Sequence, residues 1–457
     1  MAPRHSLPPG PGGRWGFATL AAFQRDPLTF FSGVQRSYGD IARVRMLGRE
    51  VVLFSRPEYA WYFLVDHAQG FSSGASRDLL KRFLGEALLT TDGDLHRRQR
   101  RLVQPAFHRK RVESYAATMI GQTQQTLDRW HVGDELDLAQ ALQELTLRII
   151  VQALFDLDLQ EQGSELSQLF ATVIENNRPG PLGETLARFN VGPIRRAQVA
   201  RERLDHFVYG LIEQRRAEGI DHGDVLSMLL AARDEDGAPM SDLQLRDQAM
   251  TLMAAGHETT SNALAWTFYL LARNPDTYDK LRAEVGTILG VRPATAADLA
   301  RMPYLDAVIM EAMRIYPPAW TVNRTALEPF DLGGYHFPAG TRAIISQWVI
   351  HHLPEVWGDP EVFRPERWTP EFRQSLPRGA YFPFGAGPRI CIGMPLAEME
   401  ARLLLATILQ RFTPRVVPGW PVETRPRVTL RMKQGMRVRL QAPGAPTLVT
   451  AGAHANR

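Results

Sequence analysis

The only cysteine of this 457-residue chain, Cys391, lies in "FGAGPRICIGMPLAEMEARLLL". The stretch after it is patterned as a helix with Pro395 in its first turn, so the sulfur falls at the helix N-terminus, two residues after Arg389. Unbonded N–H groups, the positive end of a helix dipole and a nearby guanidinium all favour a thiolate. A thiolate can attack a substrate or ligate a metal, and no base for the first role stands out. Gly385, Gly387 and Gly393 crowd the same loop. Glycines so close together allow sharp turns or the near approach of something flat.

Two further groups carry chemistry. "AAGHETTSN" (Ala254–Asn262) places Glu258, Thr259 and Thr260 in the middle of an apolar helix, behind Gly256. Glycine there costs about 1 kcal/mol relative to alanine. The patch reads either as a satisfied polar core or as a place where the helix opens to admit a small ligand beside an acid–alcohol pair able to deliver protons. In "EAMR", Glu311 and Arg314 are three apart on one helix face. Their helix is mostly apolar, which predicts a buried pair needing another partner, and Arg367 of "RPERW" offers one.

The elements that must position these groups are mostly helical. A capping box at Ser241–Gln244 predicts a helix running to about Arg273, stopped by Asn274-Pro275. Six consecutive polar residues at its centre argue against a membrane span. Strands are expected in Ile41–Phe54 (turning near Gly48), in Phe330–Ser346, and as a hairpin in Arg427–Leu440 around Gln434-Gly435. The fold class is therefore mainly α with a small β portion. Residues 1–13 read as a Pro/Gly-rich lead-in, 14–440 as a single catalytic domain, and 441–457 as a loose tail.

Composition is that of a globular protein, with 44% hydrophobic and 22% charged residues. One cysteine excludes disulfide frameworks and multi-cysteine metal sites. A net charge of +4 is mildly basic. The basic runs "HRRQRR" and "HRKR" lack interleaved aromatics, so nucleic acid is not an expected partner. The N-terminus has no apolar run of signal length, and a cytoplasmic protein is expected, without a transmembrane anchor.

Together the motifs resemble one family. Phe384–Gly393 is similar at every fixed position to the heme-binding signature F-x-x-G-x-R-x-C-x-G of the cytochrome P-450 monooxygenases, bacterial soluble type. "AGHETT", "EAMR" and "PERW" resemble that family's oxygen-activating, E-x-x-R and PERF elements, in the same order, and the likeness spans roughly Leu7 to Leu440. The resemblance implies a P-450 fold with heme b (iron protoporphyrin IX) between the long central helix and the Cys391 loop. It makes Cys391 the axial thiolate, with Phe384 and Gly385 in the loop against the macrocycle. Arg389, His96 and Arg100 of "LHRRQRR", and Arg324 of "VNRTAL" would hold the propionates, His96 standing where the family often has Trp. Thr259 would pass protons to dioxygen and Glu258 would relay them, while Glu311, Arg314 and Arg367 would be structural.

No room for a flavin domain follows the heme segment, so a separate ferredoxin or flavodoxin with its reductase is implied, acting on a monomer. The basic runs could dock such a carrier. A pocket of Leu79, Phe83, Leu84, Ala254, Ala255, Ala319 and Trp320 would take a hydrophobic molecule, a carotenoid or other terpenoid. The rivals are a fatty-acid hydroxylase or peroxygenase of the same fold, an isomerase or dehydratase, and a heme-thiolate sensor. The retained Glu258-Thr259 pair argues against the peroxygenase and the isomerase. The missing output domain argues against the sensor.

Overall fold

The computed structural model describes residues 7–444 apart from 14–15, 75, 160–161, 177–191 and 234–236, and does not describe the side chains of 75–79. Its axis is the helix Asp242–Arg273, capped as its sequence predicts. Ser241 Oγ accepts from Gln244 N at 3.3 Å, and Gln244 Oε1 accepts from Ser241 N at 2.8 Å. Apolar residues occur all round this helix, so no single face can bury it and it must be surrounded. Helices Leu138–Phe155, Pro193–Glu218, Pro303–Ile315 and Met394–Arg411 do so. From Leu245 to Phe268 every residue is buried except Ala255, Gly256 and Thr259. Of the two readings of the polar patch, the one in which the helix opens at Gly256 is absent. The helix runs unbroken, and a Cβ at that position would come within 2.8 Å of the Ile150 side chain. Glycine is needed there for the approach of a neighbouring helix.

Strands Ile41–Met46 and Arg49–Phe54 pair antiparallel through a turn with positive φ at both Leu47 and Gly48. Arg49–Phe54 continues, in parallel, into Arg342–Ile345, then Val322–Ala326 and the short edge Phe71–Ser72. This sheet covers a second core containing Leu28, Phe31, Phe54, Phe63 and Trp320. The hairpin expected in Arg427–Leu440 does not form. Leu430–Met432 pairs with Thr424–Pro426, while Arg437–Gln441 joins Glu135–Asp137 and Thr413–Val416. At the entry to that second sheet, Asp137 Oδ1 accepts from Met436 N at 3.0 Å. Among the described residues no helix is long and apolar enough to cross a membrane.

Candidate active site

The cysteine loop is closed by its own backbone. Cys391 N donates to the Phe384 carbonyl at 2.9 Å, and Arg100 Nη1 donates to the Ile390 carbonyl, also at 2.9 Å. The half-buried Phe384 ring packs on the main core. Gly385 has φ 71°, and a Cβ there would meet nothing within 4 Å, so the loop presents an open, side-chain-free surface. Gly387 serves a different purpose: with φ 68°, its Cβ would fall 1.9 Å from the Leu64 carbonyl oxygen. Of the three glycines, Gly385 leaves open space where a side chain would stand, and Gly387 packs against protein.

Cys391 is uncovered although protein surrounds it, as befits a thiol lining an interior space. Burial pushes its pKa up, against the pull of the Gly393 and Met394 N–H groups and of Arg100. The groups expected to stabilise a thiolate are thus present, and by themselves they are outweighed by desolvation. Bonding to a cation is what makes such a sulfur anionic.

Arg324, on the strand Val322–Ala326, is buried and donates to the Asn323 carbonyl at 2.9 Å. Among the described residues it has no carboxylate ion-pair partner. Burial and the neighbouring Arg389 charge push its pKa down to about 10. The one carboxylate that acts on it, Asp92, is shared with Arg389, so this buried guanidinium can take a further acidic ligand, and a heme propionate fits that need. Arg389 is already matched: its guanidinium bonds the Thr91 carbonyl and, at 2.8 Å, Asp92 Oδ1. The propionate role expected of it therefore competes with Asp92. His96 is buried on the same face of helix Gly93–Val103 as Arg100. An uncovered thiol, an open glycine surface and a buried cation with no direct ion pair among the described residues together fit a flat, iron-bearing dianion.

The acid–alcohol pair separates. Thr259 stands on the uncovered stripe of the long helix, its Oγ1 donating to the Ala255 carbonyl at 2.8 Å. Glu258 turns about 100° away and is buried. Its Oε1 accepts from Arg431 Nε at 2.5 Å and from Thr429 Oγ1, which Asn262 also contacts. A relay through Glu258 would require this ion pair to part. The buried His257 is structural: its Nδ1 lies 2.7 Å from the Met253 carbonyl, and its own carbonyl accepts from Thr146.

The substrate residues divide as well. Ala255 is uncovered and Ala319 half-buried, but Phe83, Leu84 and Ala254 are core residues, and Phe83 packs toward Phe170. Trp320 belongs to the sheet-side core beside Phe31, its Nε1 donating to the Arg427 carbonyl at 2.9 Å. The Leu79 side chain lies outside the described residues. Leu89 is 47% exposed, on a loop tied at one side to the long helix (Leu88 N to Gln248 Oε1) and at the other to Arg389 through Thr91. The sequence carries no local signal for Arg431 or Asp92, since each meets its partner across more than 170 residues.

Glu400, on helix Met394–Arg411, is buried with its carboxyl in contact with the Thr260 hydroxyl and Oε1 without a partner. Burial raises its pKa from 4.5 to about 8. The folded state then holds a proton that the unfolded chain releases. This contribution to stability is full below about pH 4.5 and is lost as pH rises towards 8. Glu400→Gln is expected to flatten the fall of the urea midpoint between about pH 5 and 8. An unchanged slope would show that the carboxyl is not the group responsible.

Comparison with known proteins gives one family. The family model for cytochrome P450 matches residues 8–437. Cyclooctatin synthase of Streptomyces melanosporofaciens is 38% identical over 93% of this chain and 94% of its own. Cyclooctat-9-en-7-ol 5-monooxygenase of the same organism is 36% identical over 88% of each chain. Pentalenene oxygenase of Streptomyces avermitilis is 33% identical over 92% and 93%. Among solved structures, retinoic acid-bound cyanobacterial CYP120A1 superposes with a TM-score of 0.86 at 28% identity, covering 95% of this chain and 99% of the other.

Proposed function

Because the chain belongs to the cytochrome P450 family and is a monooxygenase, we propose that it hydroxylates a terpenoid, using heme b, O2 and electrons from a separate ferredoxin or flavodoxin. Heme held by Cys391 supplies reductive activation of dioxygen and oxygen insertion at a C–H bond. The chain supplies position and protons. The observation that carries this reading is the uncovered stripe of the long helix, where the small Ala255 and, one turn on, the hydroxyl of Thr259 face outward. Leu89 adds an apolar side chain, and a bulky, rigid hydrocarbon suits such a surface. The names of cyclooctatin synthase, cyclooctat-9-en-7-ol 5-monooxygenase and pentalenene oxygenase point the same way. The test is a Soret-shift titration with cyclic terpenes and straight-chain fatty acids, followed by product analysis. A shift and a hydroxylated product only with fatty acids would overturn the reading.

Thr259→Ala is expected to leave substrate affinity and first-electron transfer as they are, and to divert electrons into hydrogen peroxide. A positioned proton donor is worth about 10²–10⁴-fold, and water can take up part of the loss. Peroxide and product per reduced cofactor are measured together; equal coupling in both proteins would remove Thr259 from proton delivery.

The electron donor is assigned to the face of helix Gly93–Val103. Arg97, Arg98 and Arg101 are exposed there, on the same helix whose Arg100 holds the Ile390 carbonyl beside Cys391. Reversing Arg97 and Arg98 to Glu should slow reduction by an acidic ferredoxin and flatten its salt dependence, with substrate affinity unchanged. Equal reduction rates at low salt would discard this face.

A further inference from the structure

Asp92 occupies the N-cap position of helix Gly93–Val103, where an aspartate ordinarily accepts from the first free N–H groups of the helix. Here the side chain makes no cap bond. It turns away from the helix to meet two other segments. Its Oδ1 accepts from Ser73 Oγ at 2.9 Å and from Ser73 N at 3.2 Å, and Oδ2 accepts from Ser73 N at 3.1 Å. The same Oδ1 accepts from Arg389 Nη2 at 2.8 Å. An aspartate that leaves its helix uncapped, and is fixed from two sides, is held for the place where it puts its charge.

That place is the group of cations that fits the heme's acid groups. Arg389 stands two residues before Cys391, and Arg100 bonds the Ile390 carbonyl. The buried Arg324 feels both the Arg389 charge and the opposing charge of Asp92. One fixed carboxylate therefore sits among three guanidinium groups. The side chains of Asp92 and Arg389 are only 26% and 20% exposed, so solvent screens their charges less than at an open surface. Two effects follow. While Arg389 is bonded to Asp92, it gives a propionate only part of its attraction. The carboxylate also adds negative charge beside a group that becomes more negative when it takes up an electron.

We propose that Asp92 is a positioning residue that keeps the heme's reduction potential low, by sharing Arg389 with a propionate and by holding its own charge beside it. The proposal rests on the heme reading above and gives a residue outside the expected clamp a part in it. In the step concerned, the reduced carrier loses one electron and ferric heme gains it, and no bond or proton is exchanged. Loading the enzyme then requires a strongly reducing carrier, so donors are selected by potential as well as by surface charge.

The test is a spectroelectrochemical titration of the holoenzyme, with heme loss to excess apomyoglobin measured beside it. Asp92→Asn keeps the size of the side chain and an acceptor for Ser73 but removes the charge. It is expected to make reduction about tenfold more favourable, or about 59 mV for one electron. Heme loss should slow by about threefold to tenfold, as Arg389 turns fully to the propionate. Asp92→Ser removes the charge with a residue that suits an N-cap, and should raise the potential likewise. Asp92→Glu keeps the charge and should keep the wild-type potential. A potential unmoved by Asn and Ser, or moved as far by Glu, overturns the proposal. So does faster heme loss from Asp92→Asn, which would mean that Asp92 only braces Arg389. A wild-type CO complex without the thiolate band discards the heme reading together with the proposal, whereas a normal band with an unmoved potential discards the proposal alone.

Discussion

Replacing Cys391 with histidine is expected to abolish the long-wavelength Soret band of the reduced CO complex, and monooxygenase turnover with it. The band depends on a thiolate pushing charge onto iron, which a neutral imidazole cannot reproduce. The surroundings are built for sulfur. Arg100 lies close enough to pull the thiol pKa down, and the Gly393 and Met394 N–H groups point at the same atom. With an imidazole there, these donors would face a nitrogen that no longer carries negative charge. The loop should survive, because Cys391 N to Phe384 O and Arg100 to Ile390 O are bonds of the main chain and of Arg100, not of the thiol. Circular dichroism is therefore expected to match wild type while the CO spectrum and turnover do not. A variant that kept the band would show that some other residue holds the iron.

Local features were legible in the sequence. The capping box at Ser241, the turn at Gly48 and the Glu311–Arg314 spacing depend on residues within four positions of each other, where geometry follows directly from helix and turn periodicity. The cysteine loop is legible for the same reason. Long-range partners were not. Nothing near Glu258 signals that Arg431 will hold it, and without that ion pair the acid looks free to relay protons. Nothing in "GPRIC" says that Asp92 will meet Arg389. The side on which Trp320 falls depends on how Val322–Ala326 lies against Arg342–Ile345, a pairing between segments about 20 residues apart. Gly387 and Gly385 look identical in sequence, and only the Leu64 carbonyl distinguishes them.

Glu311→Ala is expected to give little soluble protein and poor heme incorporation. The structure makes this sharper than an i,i+3 pair would suggest, because Glu311 is the hub of five hydrogen bonds at 0% exposure. Its carboxylate accepts from Arg314 Nε at 2.9 Å and Nη2 at 3.0 Å, and from Arg367 Nε at 2.9 Å. It also accepts from Arg364 N at 3.1 Å and Trp368 Nε1 at 2.9 Å. Alanine would strand two buried guanidinium groups and two N–H donors. Losing one partner of a buried ion pair costs about 3–5 kcal/mol, and each orphaned donor about 1–3 kcal/mol more, a sum comparable to the net stability of a domain. Arg314 also bonds the His351 carbonyl and Arg367 the Trp357 carbonyl, so the damage would spread through the segments that lead to the cysteine loop. Glu311→Gln separates charge from shape: it keeps the side chain's size and an acceptor but leaves both cations unbalanced, and should fall between alanine and wild type. The measurements are soluble yield, heme-to-protein absorbance ratio and the urea midpoint. An alanine variant with wild-type heme content and midpoint would show that the two arginines find other anions, and that the pair is no more than a surface contact in energetic terms.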